Sequence, residues 1–271
     1  MKTTKYNEKF GCLACAKRVW AVASIHGEAE ALKALHDEIA RRWKSGDRLV
    51  YLGNYLGRGG AVREVLDELL SFRINRLCLP GMMPEDIVFL RGAQEEIWRG
   101  LLQIQLAPQP ASLLEWMLAN DVGGALAAYG ETAENAKRHI REGILATTKW
   151  TNRLREQMRA YPGHNDIFIA LRRAAYTENG ELLFVHAGLD PARPVIEQND
   201  DFWWGHPRFK SLDKSYYGFA KVICGYERQH RGLTVMPYTV TIDGGSGFGG
   251  ELLAACFTMD GEIADQIAIP T

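Results

Sequence analysis

Four short motifs carry most of the residues in this sequence that could do chemistry. They are ASIHG at 23–27, GNYLGRG at 53–59, FLRGAQEE at 89–96 and FVHAGLDP at 184–191. His26 and His186 bring imidazoles suited to a transition metal, and Asn54 adds a neutral amide oxygen. Arg58, between Gly57 and Gly59, offers a planar guanidinium fork that matches phosphate, with open backbone on either side. Two imidazoles and an amide can help hold one metal ion. They do not suit a bridged pair of divalent cations, whose four positive charges call for anionic oxygen ligands. Glu95, Glu96, Glu227 and His230 are the side chains that could rebuild a fuller ligand set. Each candidate also has a plain structural reading. His26 can be a satisfied polar residue at a turn, His186 a support for a sheet end, and Arg58 a donor to loop carbonyls.

Other polar clusters read as structural. Cys12 and Cys15 form a single CxxC with no second pair to complete a zinc site, so residues 1–17 read as an N-terminal extension. The DGGSGFGG run at 243–250 lacks a following GK[ST] and a helical pattern, so it reads as a turn between strands. His36, His139, His164 and His206 show no ligand spacing and read as surface residues. Trp203 and Trp204 suit either a core or a binding surface.

The elements that must position the motifs follow from periodicity. RVWAVAS at 18–24, RLVYLG at 48–53 and DIVFLRG at 86–92 read as buried strands, with amphipathic helices between them. That β-α-β-α-β order implies parallel strands with helices packed on the sheet. Residues of about 96–160 are mostly helical in pattern and form an insertion that can cap the core. A helix near 166–175 precedes the strand ELLFVHAG at 181–188. The remainder, from KVICGYE at 221–227 onward, is strand-rich with glycine turns, which suits antiparallel hairpins. The fold class is α/β, with one domain over 18–271.

Composition narrows the function classes. The 271 residues carry 32 Lys plus Arg and 33 Asp plus Glu, a formal net charge of −1, which argues against nucleic acid as the main partner. No run approaches the ~20 apolar residues that cross a bilayer, so no membrane partner is expected and the chain reads as cytoplasmic.

In order and spacing, the four motifs resemble the phosphoprotein (Ser/Thr) phosphatase branch of the calcineurin-like metallophosphoesterases. That family carries GDxHG, GDxxDRG, RGNHE, a later VHAG and a GH near the final strands. The similarity spans about residues 18–260. It implies a four-layer αββα sandwich of two mixed sheets flanked by helices, and a two-metal phosphoester hydrolase.

Position by position, the resemblance implies a degenerate site. Ser24 stands where the first metal-binding Asp is expected, and His26 is kept. Asn54 replaces the bridging Asp, and Gly57 replaces the Asp that supports the catalytic His. Arg58 is kept as a phosphate-binding Arg. Ala93 replaces the metal-binding Asn and Gln94 the catalytic His, while Arg91, Gly92 and Glu95 remain. His186 matches the VHAG ligand, and Tyr226 falls where the GH ligand is expected. DDFWWGHPRF at 201–210 resembles a stretch that often carries another phosphate-binding Arg, with Gly205 at that position and Arg208 displaced. The expectation is a catalytically inactive, regulatory or binding protein, partnered by a phosphorylated protein or a small phosphate-containing ligand. No cofactor is expected, or at most a single weakly held divalent Mn, Fe or Zn. The alternative is an active phosphoesterase with a rearranged metal site.

Overall fold

A computed structural model describes residues 9–271. Two mixed sheets stack face to face. The five-stranded sheet has the order β11-β10-β2-β3-β4, with β2 Arg18–Val22, β3 Asp47–Tyr51, β4 Ile87–Phe89, β10 Glu251–Thr258 and β11 Ile263–Pro270. Its β2, β3 and β4 run parallel, and β10 joins β2 antiparallel. The six-stranded sheet has the order β1-β5-β6-β7-β9-β8, with β1 Phe10–Leu13, β5 Ala174–Thr177, β6 Leu182–Val185, β7 Lys221–Cys224, β8 Gly232–Val235 and β9 Thr239–Asp243.

The period-two alternation of strand side chains builds the layers. Val19, Ala21, Val50 and Val88 face the other sheet, where they meet Leu182, Phe184, Ile223 and Val240. The alternate residues Trp20, Val22, Leu49, Tyr51 and Phe89 face outward into the helices. Those helices include α1 Ala29–Arg42, α2 Val62–Leu77 and α3 Ala93–Leu101. Next come α4 Pro110–Ala119, α5 Gly123–Ala128, α6 Ala133–Arg141 and α7 Ile144–Arg159, within the stretch of about 96–160 read as mostly helical, and then α8 His164–Ala170. The outer face of the six-stranded sheet is covered more thinly. Phe202 and Trp203 of α9 Asp201–Trp204 pack there with Phe209, Tyr216 and Phe219.

Some sequence expectations change. The extension at 1–17 contains β1, which pairs in parallel with β5, so Cys12 lies within a sheet. Residues 1–8 lie outside the described residues. The helix expected near 166–175 ends at Ala170, and Ala174–Thr177 is a strand because it pairs with both β1 and β6. His36 and His164 are buried rather than superficial. His36 hydrogen-bonds Glu68 and Tyr51, and His164 bonds Tyr129 and Asp67. Partners for both ring nitrogens are what make a buried imidazole tolerable. Among the described residues, no helix is long and apolar enough to cross a membrane.

Candidate functional site

The C-terminal ends of β2, β3, β4, β6 and β7 meet at one rim, the position where α/β sheets place ligand sites. These ends deliver His26, Asn54, Gln94, His186 and Tyr226. The His26 and Asn54 backbones both have positive φ, 54° and 56°, a conformation that costs non-glycine residues on the order of 1–3 kcal/mol when held. They hold one another in it. The Asn54 carbonyl accepts from the N–H groups of Ile25 and His26 at 3.0 and 2.7 Å.

Glu95 fixes the same loop from below. Its buried carboxylate accepts from the N–H groups of Gly92, Asn54, Tyr55 and Leu56 at 2.8, 2.9, 2.8 and 3.2 Å. Burial raises the Glu95 pKa, and the four backbone donors work against that rise. The carboxylate is therefore a clamp between the GNYLG and RGAQE segments, with its oxygens turned toward backbone.

The side chains at the rim hydrogen-bond to one another and to backbone carbonyls. Asn54 Oδ1 accepts from the Gln94 N–H at 3.0 Å, which fixes the amide orientation. Its Nδ2 then faces Ser24 Oγ and His26 Nε2, each at 3.3 Å. Ser24 Oγ donates onward to the Gly225 carbonyl at 3.0 Å. Gln94 Nε2 donates to the Asn120 carbonyl at 3.0 Å, tying α3 to the end of α4. His186 Nδ1–H donates to the Leu52 carbonyl at 2.6 Å. The Tyr226 ring stacks on His186 with centroids 5.5 Å apart and planes 14° apart. Tyr226 also lies 6.5 Å from His26, so it links the two histidines.

Both histidines are neutral near pH 7. Burial lowers His26 to about 3, with smaller contributions from His186, His230 and Arg58. Burial lowers His186 to about 4, against the opposing Leu52 hydrogen bond. His26 Nδ1 and His186 Nε2 are buried and have no hydrogen-bond partner among the described residues.

These residues do not fit a bridged metal pair. The His26 Nε2 lone pair faces the Asn54 NH₂ group, a donor standing where a bridging oxygen would be needed. Asn54 Oδ1 is engaged by backbone, and Ser24, Ala93 and Tyr226 supply a hydroxyl, a methyl and a phenol. The side chains that could have rebuilt the set are also engaged. Glu96 pairs with Arg91 and Arg99, Glu227 with Lys210 and Arg231, and His230 with Asp243. Among the described residues, no group of three or more His, Cys, Asp or Glu side chains is placed to hold a metal ion.

Beside these residues lies a cleft of about 600 Å³, lined in part by His26, Asn54, Gln94, Tyr226, Trp203 and Phe248. Ala93, Asn120, Asp121, Trp204, Gly205 and His206 also face it. The tryptophan pair divides its roles, with Trp203 buried and Trp204 45% exposed. Arg58 sits near this rim, ion-paired with Asp121 at 3.2 Å and stacked over Phe248 at 4.6 Å. Gly57 cannot easily regain a side chain. Its φ is +132°, and a Cβ there would meet His26 Nδ1 at 2.5 Å. Arg208 turns to Asp190 at 3.3 Å, and Arg91 turns to Glu96 at 3.4 Å.

Sequence reasoning missed Phe248, Asp121 and Asn120. Phe248 projects from the glycine run at 243–250, packing edge-on to His26 and stacking on His230. The signal available was one aromatic among small residues in a loop between two sheet strands.

No protein-family model matches the sequence, and a search of curated proteins found no match. Solved structures do match over nearly the whole chain. A protein assigned as a diadenosine tetraphosphatase superposes with a TM-score of 0.55 at 18% identity, covering 96% of this chain and 97% of that one. A protein serine/threonine phosphatase from Saccharomyces cerevisiae gives 0.53 at 14% identity, covering 97% and 83%. A cold-active protein-tyrosine phosphatase from a psychrophilic Shewanella gives 0.50 at 14% identity, covering 98% and 85%. At these identities the likeness establishes the fold, which is that of the calcineurin-like metallophosphoesterases.

Proposed function

We propose that this chain is a cytoplasmic pseudophosphatase, a metallophosphoesterase-fold protein that binds a phosphorylated partner at its cleft without hydrolysing it. The observation that carries this reading is the orientation of the Asn54 amide, whose NH₂ group occupies the centre of the site between Ser24 and His26. A metal-bridging carboxylate would accept where this group donates. The proton donor and its orienting carboxylate are replaced as well, by Gln94 and Gly57. Gln94 instead holds the Asn120 carbonyl.

The rim keeps features that suit an anionic group attached to a larger partner. Arg58 is half exposed and reaches the rim between Asp121 and Phe248. Arg228 lines the cleft and has no ion pair among the described residues. Trp204 and Phe248 give partly exposed aromatic surface beside these cations. The alternative, an active phosphoesterase with a rearranged metal site, requires Glu95, Glu96, Glu227 or His230 to leave the partners described above.

The test is calorimetric titration with a phosphoserine peptide and its unphosphorylated counterpart. Binding is expected to be weak and selective for the phosphorylated form, and to be lost in Arg58→Ala. Asp121→Asn removes the competing carboxylate and tolerates positive φ, so it is expected to strengthen binding several-fold, on the order of a surface ion pair. Equal binding of both peptides, or binding indifferent to Arg58→Ala, contradicts the proposal.

A further inference from the structure

A second cavity lies on the far side of α3 from the cleft. It has a volume of about 250 Å³ and is enclosed by α3, α7, α8 and the end of β4. Four arginines line it, Arg91, Arg99, Arg155 and Arg159. Its apolar walls come from Leu102, Met158, Phe168 and Leu171. A concentration of four arginines is notable in a chain whose net charge is −1.

The acids nearby offset only part of this charge, at Arg91 and Arg99. Glu95 lines the cavity, but its oxygens accept from backbone N–H groups. Glu96 is shared between Arg91 and Arg99. Arg155 donates only to neutral acceptors, Asn152 Oδ1 and the Leu102 carbonyl. Arg159 has no ion pair among the described residues. Arg155 and Arg159 are one turn apart on α7, a spacing at which like charges repel by ~0.2–0.5 kcal/mol. Trp98 adds an independent observation. It lines the cavity and is 1% exposed, and its indole N–H is buried with no acceptor among the described residues. A buried donor without an acceptor is costly to leave so.

We propose that this cavity is a binding site for a small amphiphilic anion, a carboxylate or phosphate ester bearing one compact apolar group. The anionic head meets Arg155 and Arg159, whose guanidinium forks suit carboxylate and phosphate oxygens alike. The apolar body lies among Met158, Phe168 and Leu171. The volume is below the usual range for drug-sized ligands, roughly 300–1,000 Å³, so the occupant is fragment-sized. This site is separate from the cleft and does not depend on the phosphopartner reading.

The test uses the full chain and phenylphosphonate as probe, with inorganic phosphate and benzyl alcohol as comparisons in calorimetry. Phenylphosphonate is expected to bind, and each comparison compound to bind about tenfold more weakly or worse, since each lacks one half of the recognition. The double variant Arg155→Gln/Arg159→Gln is expected to weaken phenylphosphonate by about tenfold or more. In Arg58→Ala, which removes the cleft's own anion contact, phenylphosphonate binding is expected to persist. The double variant relieves a like-charge contact, so its thermal midpoint is expected not to fall. As a readout independent of those variants, the Trp98 indole N–H resonance, assigned through Trp98→Phe, is expected to shift on titration. An isotherm unchanged in the double variant, lost in Arg58→Ala, or absent altogether overturns the proposal.

Discussion

The amide Nδ2 of Asn54 lies 3.3 Å from Nε2 of His26, and the two are held in register by the Asn54 carbonyl accepting the His26 N–H. His26, which the motif resemblance aligns with a metal-binding histidine, here accepts from a neutral amide. Its other nitrogen faces Gly57, with no room for a further side-chain atom.

Asn54→Asp is therefore expected to destabilise the metal-free protein. The new oxygen would face the His26 lone pair and the Ser24 hydroxyl in a buried site, where a lost donor costs about 1–3 kcal/mol and a charge costs more. His26 is expected to take up a proton in response, moving its pKa upward from about 3. Urea unfolding at pH 7 and an imidazole NMR titration check this. An unchanged midpoint with His26 still neutral at pH 5 contradicts it.

Acid is expected to weaken the fold well before the carboxylates titrate. His26 and His186 have folded pKa values of about 3 and 4, below the ordinary value of 6.5. Burial lowers His36 in the same direction. Below pH 6.5 the unfolded chain binds protons that the folded chain does not, so stability is full above that pH and falls as pH drops toward 4. Each such histidine contributes a slope of ~1.4 kcal/mol per pH unit in that window. His186→Asn, which keeps a donor for the Leu52 carbonyl, is expected to flatten the slope by one proton. Unfolding free energy measured from pH 7 to 4.5 decides this, and equal slopes in the two proteins contradict it.

Glu95→Gln tests the clamp beneath the loops. A glutamine keeps one carbonyl oxygen but places an NH₂ group against backbone donors that now share the carboxylate. Loss of charge-assisted bonds at four N–H groups is expected to cost on the order of 2–4 kcal/mol. The check is a denaturant midpoint, and a change below about 0.5 kcal/mol, typical of neutral surface substitutions, contradicts the assignment.

Much of this site was legible because its motifs sit at strand ends, where chain order and sheet topology fix the geometry. ASIHG, GNYLGRG, RGAQEE and VHAG each follow a strand, and parallel pairing of β2, β3 and β4 puts the first three on one rim. Phe248, Asp121 and Asn120 were not legible. They reach the site from a glycine loop and from the end of α4, and no local pattern encodes contacts made across the fold. His36 and His164 were misjudged for a similar reason. Their burial depends on acids and tyrosines supplied by other elements, Glu68 and Tyr51 for one, Asp67 and Tyr129 for the other.

Restoring the site in steps is expected to return metal before turnover. Ser24→Asp, Asn54→Asp, Ala93→Asn and Tyr226→His add ligands around His26 and His186 without crowding a positive-φ glycine. Turnover also needs Gln94→His and Gly57→Asp, and the latter places a Cβ 2.5 Å from His26 Nδ1 at a φ of +132°. Gly57→Asp alone is expected to cost roughly 1–3 kcal/mol and to displace His26. Metal content and phosphate-ester turnover of the four-residue and six-residue variants are the readouts. Full activity in the four-residue protein would show that Gln94 and Gly57 are compatible with catalysis.

The wild-type cleft is expected to hold no bridged metal pair, and metal stoichiometry measured alongside turnover tests this most directly. The purified chain would be equilibrated with manganese, analysed for bound metal, and assayed on a phosphate ester in the same buffer. Less than one tightly held metal per chain and no metal-dependent turnover are expected. Two metals per chain, with turnover abolished by His26→Ala, would contradict it.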